Sequence, residues 1–385
     1  MKNNFNILIA PDSFKESLTA IQVCDAIEKG IRNTGKKFNI QKVPMADGGE
    51  GTLQSLVDAK NGTIVQCISH DPLMRPIKTK YGVLDGGKTA VIEMAQTSGL
   101  ELLTIRERNP LCTTTYGTGE LIKNALDQGC ENIIIGIGGS ATNDGGAGML
   151  DALGVQFLNN KGNTIPKGGG GLSELYTINT ETLDPRLHSC NISVACDVTN
   201  PLLGEKGATR VFGKQKGASD EMLVELENNL HKYSGLLENS FGKKVATIPG
   251  SGAAGGLGAG LLALPNCQLR SGFEIVKELV ELEQKVDWAN LIFTGEGKTD
   301  AQTQFGKVPY GIAQIAKKRK IPVVCLSGTH GPDTEILNKE GITAIFSILD
   351  GPMNLQEAMR NTPFLLQKTA EQVMRVFLIQ NQNAL

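Results

Sequence analysis

Three consecutive isoleucines, Ile133 to Ile135, open into the segment GIGGSATNDGGAG, Gly136 to Gly148. No other feature of the chain restricts its fold as strongly. Six glycines stand among thirteen residues, beside Ser140, Thr142, Asn143 and Asp144. A buried strand that runs into a glycine-rich turn and then a helix is an α/β device, in which bare backbone N–H groups and a helix N-terminus face an anion. Asp144 adds a carboxylate able to hold a metal or take a proton. Glycine is plentiful elsewhere too, 46 of 385 residues against a usual level of about 7%. It clusters in loops after apolar runs, which excludes a collagen-like repeat or a flexible linker.

The flanking pattern extends this reading. Asn6 to Ala10 reads as a buried strand, followed by the polar loop Asp12-Ser13-Phe14-Lys15. A helix follows, with Thr19 as N-cap and Gln22 completing a capping box. A short strand to Met45 leads into the loop ADGGEGT. Between about Thr63 and Met94, three strand-like runs separated by DPLMRP and DGGK read as a hairpin series. Helix and strand then alternate. LIFTG, IPVVCLSG and ITAIFSIL supply three late strands, and a last helix from Leu355 to about Gln380 is expected to bend or break near Pro363. Successive β–α units imply a parallel sheet covered on both faces. The expected fold is therefore two α/β domains, one of them a discontinuous, Rossmann-like parallel-sheet domain, with the active site in an interdomain cleft. Residues 1–63 plus 286–385 would form the discontinuous domain, and residues 64–285 the inserted one, beginning with the hairpins.

A net charge of −2 without long charged blocks gives nucleic acid or a membrane surface no purchase. The N-terminal apolar run is too short for a signal peptide and no segment is long enough to span a bilayer, so a cytoplasmic location is expected. The eight cysteines form no C-x-x-C pair and stand apart from the four histidines, which argues against a zinc site or a disulfide framework. Oligomeric state is not legible.

Two nucleotide motifs fail on context. Gly82 to Thr89 fits G-x-x-x-x-G-K-T, but Thr89 to Glu93 is strand-like where a phosphate loop needs a helix, so Asp85 to Lys88 reads as a hairpin turn. Gly136-x-Gly138-x-x-Ala141 follows a strand as a dinucleotide fingerprint would, yet the next strand ends in Asn159-Asn160 and lacks the ribose-binding acid. Five polar loops fit another chemistry: Asp12 to Lys15, Asp47 to Thr52, Ser140 to Gly146, Asp197 to Asn200, and Gly295 to Asp300. A sixth, Pro249 to Gly260, is nearly pure backbone. Acids gathered with bare amides suit phosphoryl transfer from Mg-ATP, in which positioning and charge stabilisation dominate.

The segments APDSFKESLTA, PMADGGEGT, GGSATNDGGAGM, ACDVTNPLLGEKGAT, PGSGAAGGLGAGL and TGEGKTDAQTQFGKVP closely resemble the signature segments of the type-1 glycerate kinase family. The resemblance runs in order from about residue 7 to residue 350. It implies ATP-dependent phosphorylation of D-glycerate, two α/β domains with a cleft, and a divalent metal. The 2-phosphoglycerate product is favoured over the 3-isomer. Lys298 stands where many relatives carry Arg, so a bidentate grip there would become a point charge.

On this reading Gly138, Gly139, Ser140, Thr142, Asn143, Gly255 and Gly256 hold the nucleotide phosphates. Asp144 and Asp300, with Glu296 in reserve, hold Mg²⁺. Asp197 is the expected general base and Asp47 the second candidate. Lys15, Lys307 and Arg270 would grip the glycerate carboxylate or the transferring phosphoryl group, alongside Asp12 and Ser13. Neither spacing nor resemblance decides which acid is base and which is ligand. The alternatives are an NAD-dependent hydroxy-acid dehydrogenase and a non-catalytic sensor of small metabolites.

Overall fold

The structure is a computed structural model that describes residues 5–304 and 306–380. Residues 1–4 and 381–385, within the expected terminal bounds, and Phe305 lie outside the described residues. The chain divides into two compact units. The first comprises Met1–Asp47, Gln54–Asn61 and Phe273–Leu385, and the second Gly48–Leu53 and Gly62–Gly272.

In chain order the strands are β1 (Asn6–Ile9), β2 (Asn39–Lys42), β3 (Thr63–His70), β4 (Pro76–Leu84), β5 (Thr89–Glu93), β6 (Asn132–Gly136), β7 (Gln156–Leu158), β8 (Thr177–Asn179), β9 (Asn191–Ala195), β10 (Cys267–Arg270), β11 (Leu291–Thr299), β12 (Val323–His330) and β13 (Ala344–Ser347). The first unit is built on a sheet of order β13-β12-β11-β1-β2, parallel throughout. It takes two strands from the N-terminal part of the chain and three from the C-terminal part, the discontinuous parallel sheet that the sequence led us to expect. Numbered along its own strands the order is 2-1-3-4-5, the flavodoxin-like arrangement, whose ligands bind at the carboxyl ends beside the first strand.

Alternation along β12 shows how that sheet is covered. Val324 and Leu326 join the core with the first helix, Ala20–Arg32, and the C-terminal helix, Leu355–Gln380, while Cys325 faces Ala313, Leu337 and Ile342 on the other side. The first helix starts as expected: the Gln22 N–H donates to Thr19 Oγ1 and the Thr19 N–H to Gln22 Oε1 at 3.0 Å. It meets the C-terminal helix at Gly30, where an added Cβ would lie 2.2 Å from the Gln367 carbonyl oxygen. Ala would gain about 1 kcal/mol in helix propensity over Gly, but forcing two packed backbones apart costs about 1–3 kcal/mol or more. Gly30→Ala is therefore expected to lower the urea midpoint of unfolding despite its better propensity; an unchanged or higher midpoint would contradict the close crossing.

The C-terminal helix, expected to bend or break near Pro363, is continuous through it. A proline there leaves the Met359 carbonyl without its helical donor. The Ser17 hydroxyl takes that place, donating to Met359 O at 2.8 Å.

The second unit carries a six-stranded sheet, β10-β9-β6-β5-β4-β3. β3, β4 and β5 pair antiparallel, as the hairpin pattern predicted, and Asp85–Gly87 is the turn between β4 and β5. β5, β6, β9 and β10 run parallel. Ile135 of β6 lies in register between Ile92 and Val194, and with Ile133 it joins a core that also takes in Leu230 and Tyr233 of the long helix Asp220–Phe241.

Candidate active site

Each unit carries part of the expected residue set, and the two parts differ in chemistry. In the first unit a cavity of about 620 Å³ opens at the carboxyl ends of β1, β11, β12 and β13. Asp12, Ser13, Lys15, Asp47, Glu296 and Lys307 are on its walls, with Lys298. Asp12 follows β1 and its N–H donates to the Gly295 carbonyl of β11 at 2.9 Å, which pins it beside the first strand. Its side chain is 9% exposed and accepts the Ser13 N–H at 2.6 Å. Burial and the neighbouring Asp47 carboxylate, with Glu296 adding to them, push the Asp12 carboxyl up to about 7 against the pull of the Ser13 N–H and Lys15. A carboxyl poised there is suited to accepting a proton at neutral pH.

Glu296 is already engaged. Its Oε1 accepts from the Thr303 hydroxyl at 2.7 Å and its Oε2 from Lys307 Nζ at 3.1 Å. Burial pushes this carboxyl up, and Thr303 and Lys307 hold it back. Both oxygens are bonded inside the protein, and Glu296 thereby positions Lys307. Asp300 lies 3.3 Å from Lys298 Nζ. Lys15 is exposed at the cavity, on the turn Phe14 to Leu18 whose two ends exchange backbone hydrogen bonds.

The glycine-rich loop of the second unit behaves differently from expectation. Asp144 is 1% exposed. It accepts the Thr115 N–H at 2.8 Å, the Gly146 N–H at 3.1 Å, the Gly148 N–H at 3.2 Å and the hydroxyls of Thr114 and Thr115. Gly146 and Gly148 belong to the start of the helix Ala147–Ala152. The chain's own carboxylate thus accepts the donors at the start of this helix.

Thr142 and Asn143 are wholly buried. The Lys216 Nζ donates to Thr142 O at 2.6 Å, and burial pulls this amine down to about 7 while Asp144 pulls it back up. At Gly255, with φ +67°, a Cβ would stand 1.9 Å from Thr142 O. Gly145 donates its N–H to Gly255 O at 3.0 Å. The glycines of these two loops serve backbone-to-backbone packing, while the buried Thr142 Oγ1 and Asn143 Oδ1 have no hydrogen-bond partner among the described residues. Gly138 and Gly139 do remain exposed, on the turn after β6, next to the buried Ser140.

Asp197 follows β9 and is exposed, accepting the Gly272 N–H at 3.2 Å. Arg270 ends β10, paired in register with Ala195 of β9. Sequence reasoning missed two features. One is Lys216, the second lysine of KQKG, with no pattern to mark it as buried. The other is the apolar wall of the first cavity, Ile348, Leu349, Met353, Leu355, Ala358 and Met359, whose signal was a run of apolar residues at the end of a strand and the start of a helix. Among the described residues no group of three or more His, Cys, Asp or Glu is arranged to hold a metal ion, and no helix is long and apolar enough to cross a membrane.

The family model for the glycerate kinase family matches residues 7–378. The glycerate kinase of Bacillus subtilis (strain 168) is 48% identical over 367 residues, covering 95% of this chain and 96% of its own. The glycerate 2-kinase of Escherichia coli (strain K12) is 47% identical over 378 residues, covering 98% and 99%. The crystal structure of putative glycerate kinase 2 from Salmonella typhimurium LT2 superposes with a TM-score of 0.91 at 46% identity, over 99% of this chain and 100% of that one.

Proposed function

Because this chain belongs to the glycerate kinase family, and is therefore a phosphotransferase that moves a phosphoryl group from ATP to glycerate, we propose that its substrate is the D-enantiomer and its product 2-phosphoglycerate. Membership sets aside the dehydrogenase alternative. The name of the E. coli relative, glycerate 2-kinase, supports the 2-position.

The observation that carries the mechanistic reading is Asp12, nearly buried beside the first strand with its carboxyl raised to about 7 among Asp47, Glu296 and Lys15. On our reading Asp12 accepts the proton of the acceptor hydroxyl as that oxygen attacks the γ-phosphorus and ADP leaves. Asp47 keeps Asp12 basic by charge. Lys307, aimed by Glu296, holds the glycerate carboxylate. Lys15 and Lys298 neutralise the phosphoryl oxygens as charge builds on them, the main contribution a protein can make to such a transfer. The exposed Gly138–Gly139 turn keeps its proposed part in binding phosphate through backbone N–H groups. Asp197 and Arg270, at the carboxyl ends of β9 and β10, are proposed as lesser contributors to substrate binding.

Mg²⁺ is proposed to enter with ATP. Magnesium beside phosphates needs only one or two protein carboxylates, and Asp300, beside Lys298, is proposed as one of them, with Asp144 and Glu296 the other candidates. The ion would screen the phosphates from one another.

Incubation with Mg-ATP and D-glycerate, followed by ³¹P NMR, tests the reading. One new resonance at the shift of authentic 2-phosphoglycerate is expected. The 3-isomer would overturn the positional part, and no phosphoglycerate would overturn the whole.

A further inference from the structure

The cavity of the first unit is larger than glycerate requires. A three-carbon acid needs only its polar floor, whereas a volume of about 620 Å³ falls in the range of roughly 300–1,000 Å³ used by drug-sized ligands. Its two sides also differ. The loop after β1 brings Asp12 and Lys15, β11 brings Lys298, and the start of the helix Val308–Arg319 brings Lys307. The end of β13 and the start of the C-terminal helix bring Ile348, Leu349, Met353, Leu355 and Met359. Leu355 is 75% exposed and Leu349 36% exposed, so part of this apolar wall lacks protein cover. The wall is also held in place. The Ser17 hydroxyl ties the lysine-bearing turn to the Met359 carbonyl that Pro363 leaves free.

Resting on the proposed reaction, we propose that this apolar wall seats the nucleoside of ATP, with its triphosphate running toward Lys15 and Lys298. Charge complementarity selects the ligand class. A flat, largely apolar base covers Leu349 and Leu355, and the anionic chain of the same molecule meets the lysines across the cavity. Glycerate, all polar and short, has no use for the wall.

The test is Leu355→Asp, an exposed position that tolerates a charge, compared with Val376→Asp, 62% exposed on the same helix outside the cavity. Leu355→Asp is expected to raise KM for ATP at least about tenfold while KM for glycerate stays within about twofold, and to weaken binding of a fluorescent ADP analogue by a similar factor in the absence of glycerate. Val376→Asp is expected to change neither. Thermal melting of both variants checks the fold, and analytical ultracentrifugation reports whether a second copy of the chain uses the wall instead. An unchanged KM for ATP in folded Leu355→Asp, or a shift in oligomeric state without a change in ADP binding, overturns the proposal. The two readings fail separately: a wild-type protein that binds the ADP analogue but makes no phosphoglycerate sinks the reaction and leaves the nucleoside seat standing.

Discussion

Replacing Asp12 with Asn is expected to lower kcat by about 10²–10⁴-fold, the usual contribution of a positioned base, and at the same time to stabilise the protein above neutral pH. The second effect follows from the first cause. Burial and Asp47 hold the Asp12 carboxyl at about 7, well above its ordinary 3.8. Between those values the folded protein binds a proton that the unfolded chain releases, so ionised Asp12 costs stability, and the cost is complete only once pH exceeds about 7. An upward shift of this size corresponds to roughly 4 kcal/mol. Asn carries no charge and can still accept the Ser13 N–H. Urea unfolding at pH 8 should therefore show Asp12→Asn more stable than wild type, with the difference shrinking as pH falls through 7 toward 4. A structural carboxylate would show the reverse. Asp197→Asn, at an exposed position, is expected to lose less than about tenfold in kcat; a larger loss there than at Asp12 would return the base to the loop after β9.

Asp144→Ala is expected to have the largest effect on folding, a loss of about 3–5 kcal/mol. Three backbone N–H groups and two hydroxyls point at this buried carboxylate, and the buried Lys216 amine relies on its charge. Donors orphaned in the interior carry their full desolvation cost, and the carboxylate also neutralises the positive end of the helix that begins at Ala147. Thermal melting measures the loss. The milder Asp144→Asn separates this role from metal binding. It should melt earlier than wild type while the Mg²⁺ concentration for half-maximal activity stays unchanged. A metal ligand would give the opposite pair: a near-normal melting temperature and a raised Mg²⁺ requirement.

The glycine-rich loop shows where sequence reading stops. A strand followed by clustered glycines was correctly legible as α/β, because alternation and apolar runs are local properties. The purpose of the glycines was not local. Gly255 is small because Thr142 O lies against it, and Asp144 is an internal anion because Thr114 and Thr115 bring donors to it from an earlier segment. Glycine spacing is the same whether a backbone must approach a phosphate or another backbone. That the last helix continues through Pro363 was hidden for a similar reason, since the donor that replaces its missing N–H comes from Ser17. The capping box at Thr19 and the hairpin turn at Asp85–Gly87, by contrast, depend on neighbours within a few residues, and both were visible. Of the site, the loops Asp12 to Lys15 and Gly295 to Asp300 were legible as chemistry at strand ends. The raised carboxyl of Asp12 was not, because it depends on burial and on the charges that surround it.

The pH dependence of kcat tests the central claim most directly. With saturating Mg-ATP and D-glycerate between about pH 5.5 and 8.5, wild-type kcat should rise through an apparent pKa near 7 and level off as Asp12 loses its proton. The residual activity of Asp12→Asn should lack that limb. A wild-type profile flat across this range, or the same limb retained in Asp12→Asn, would contradict the account.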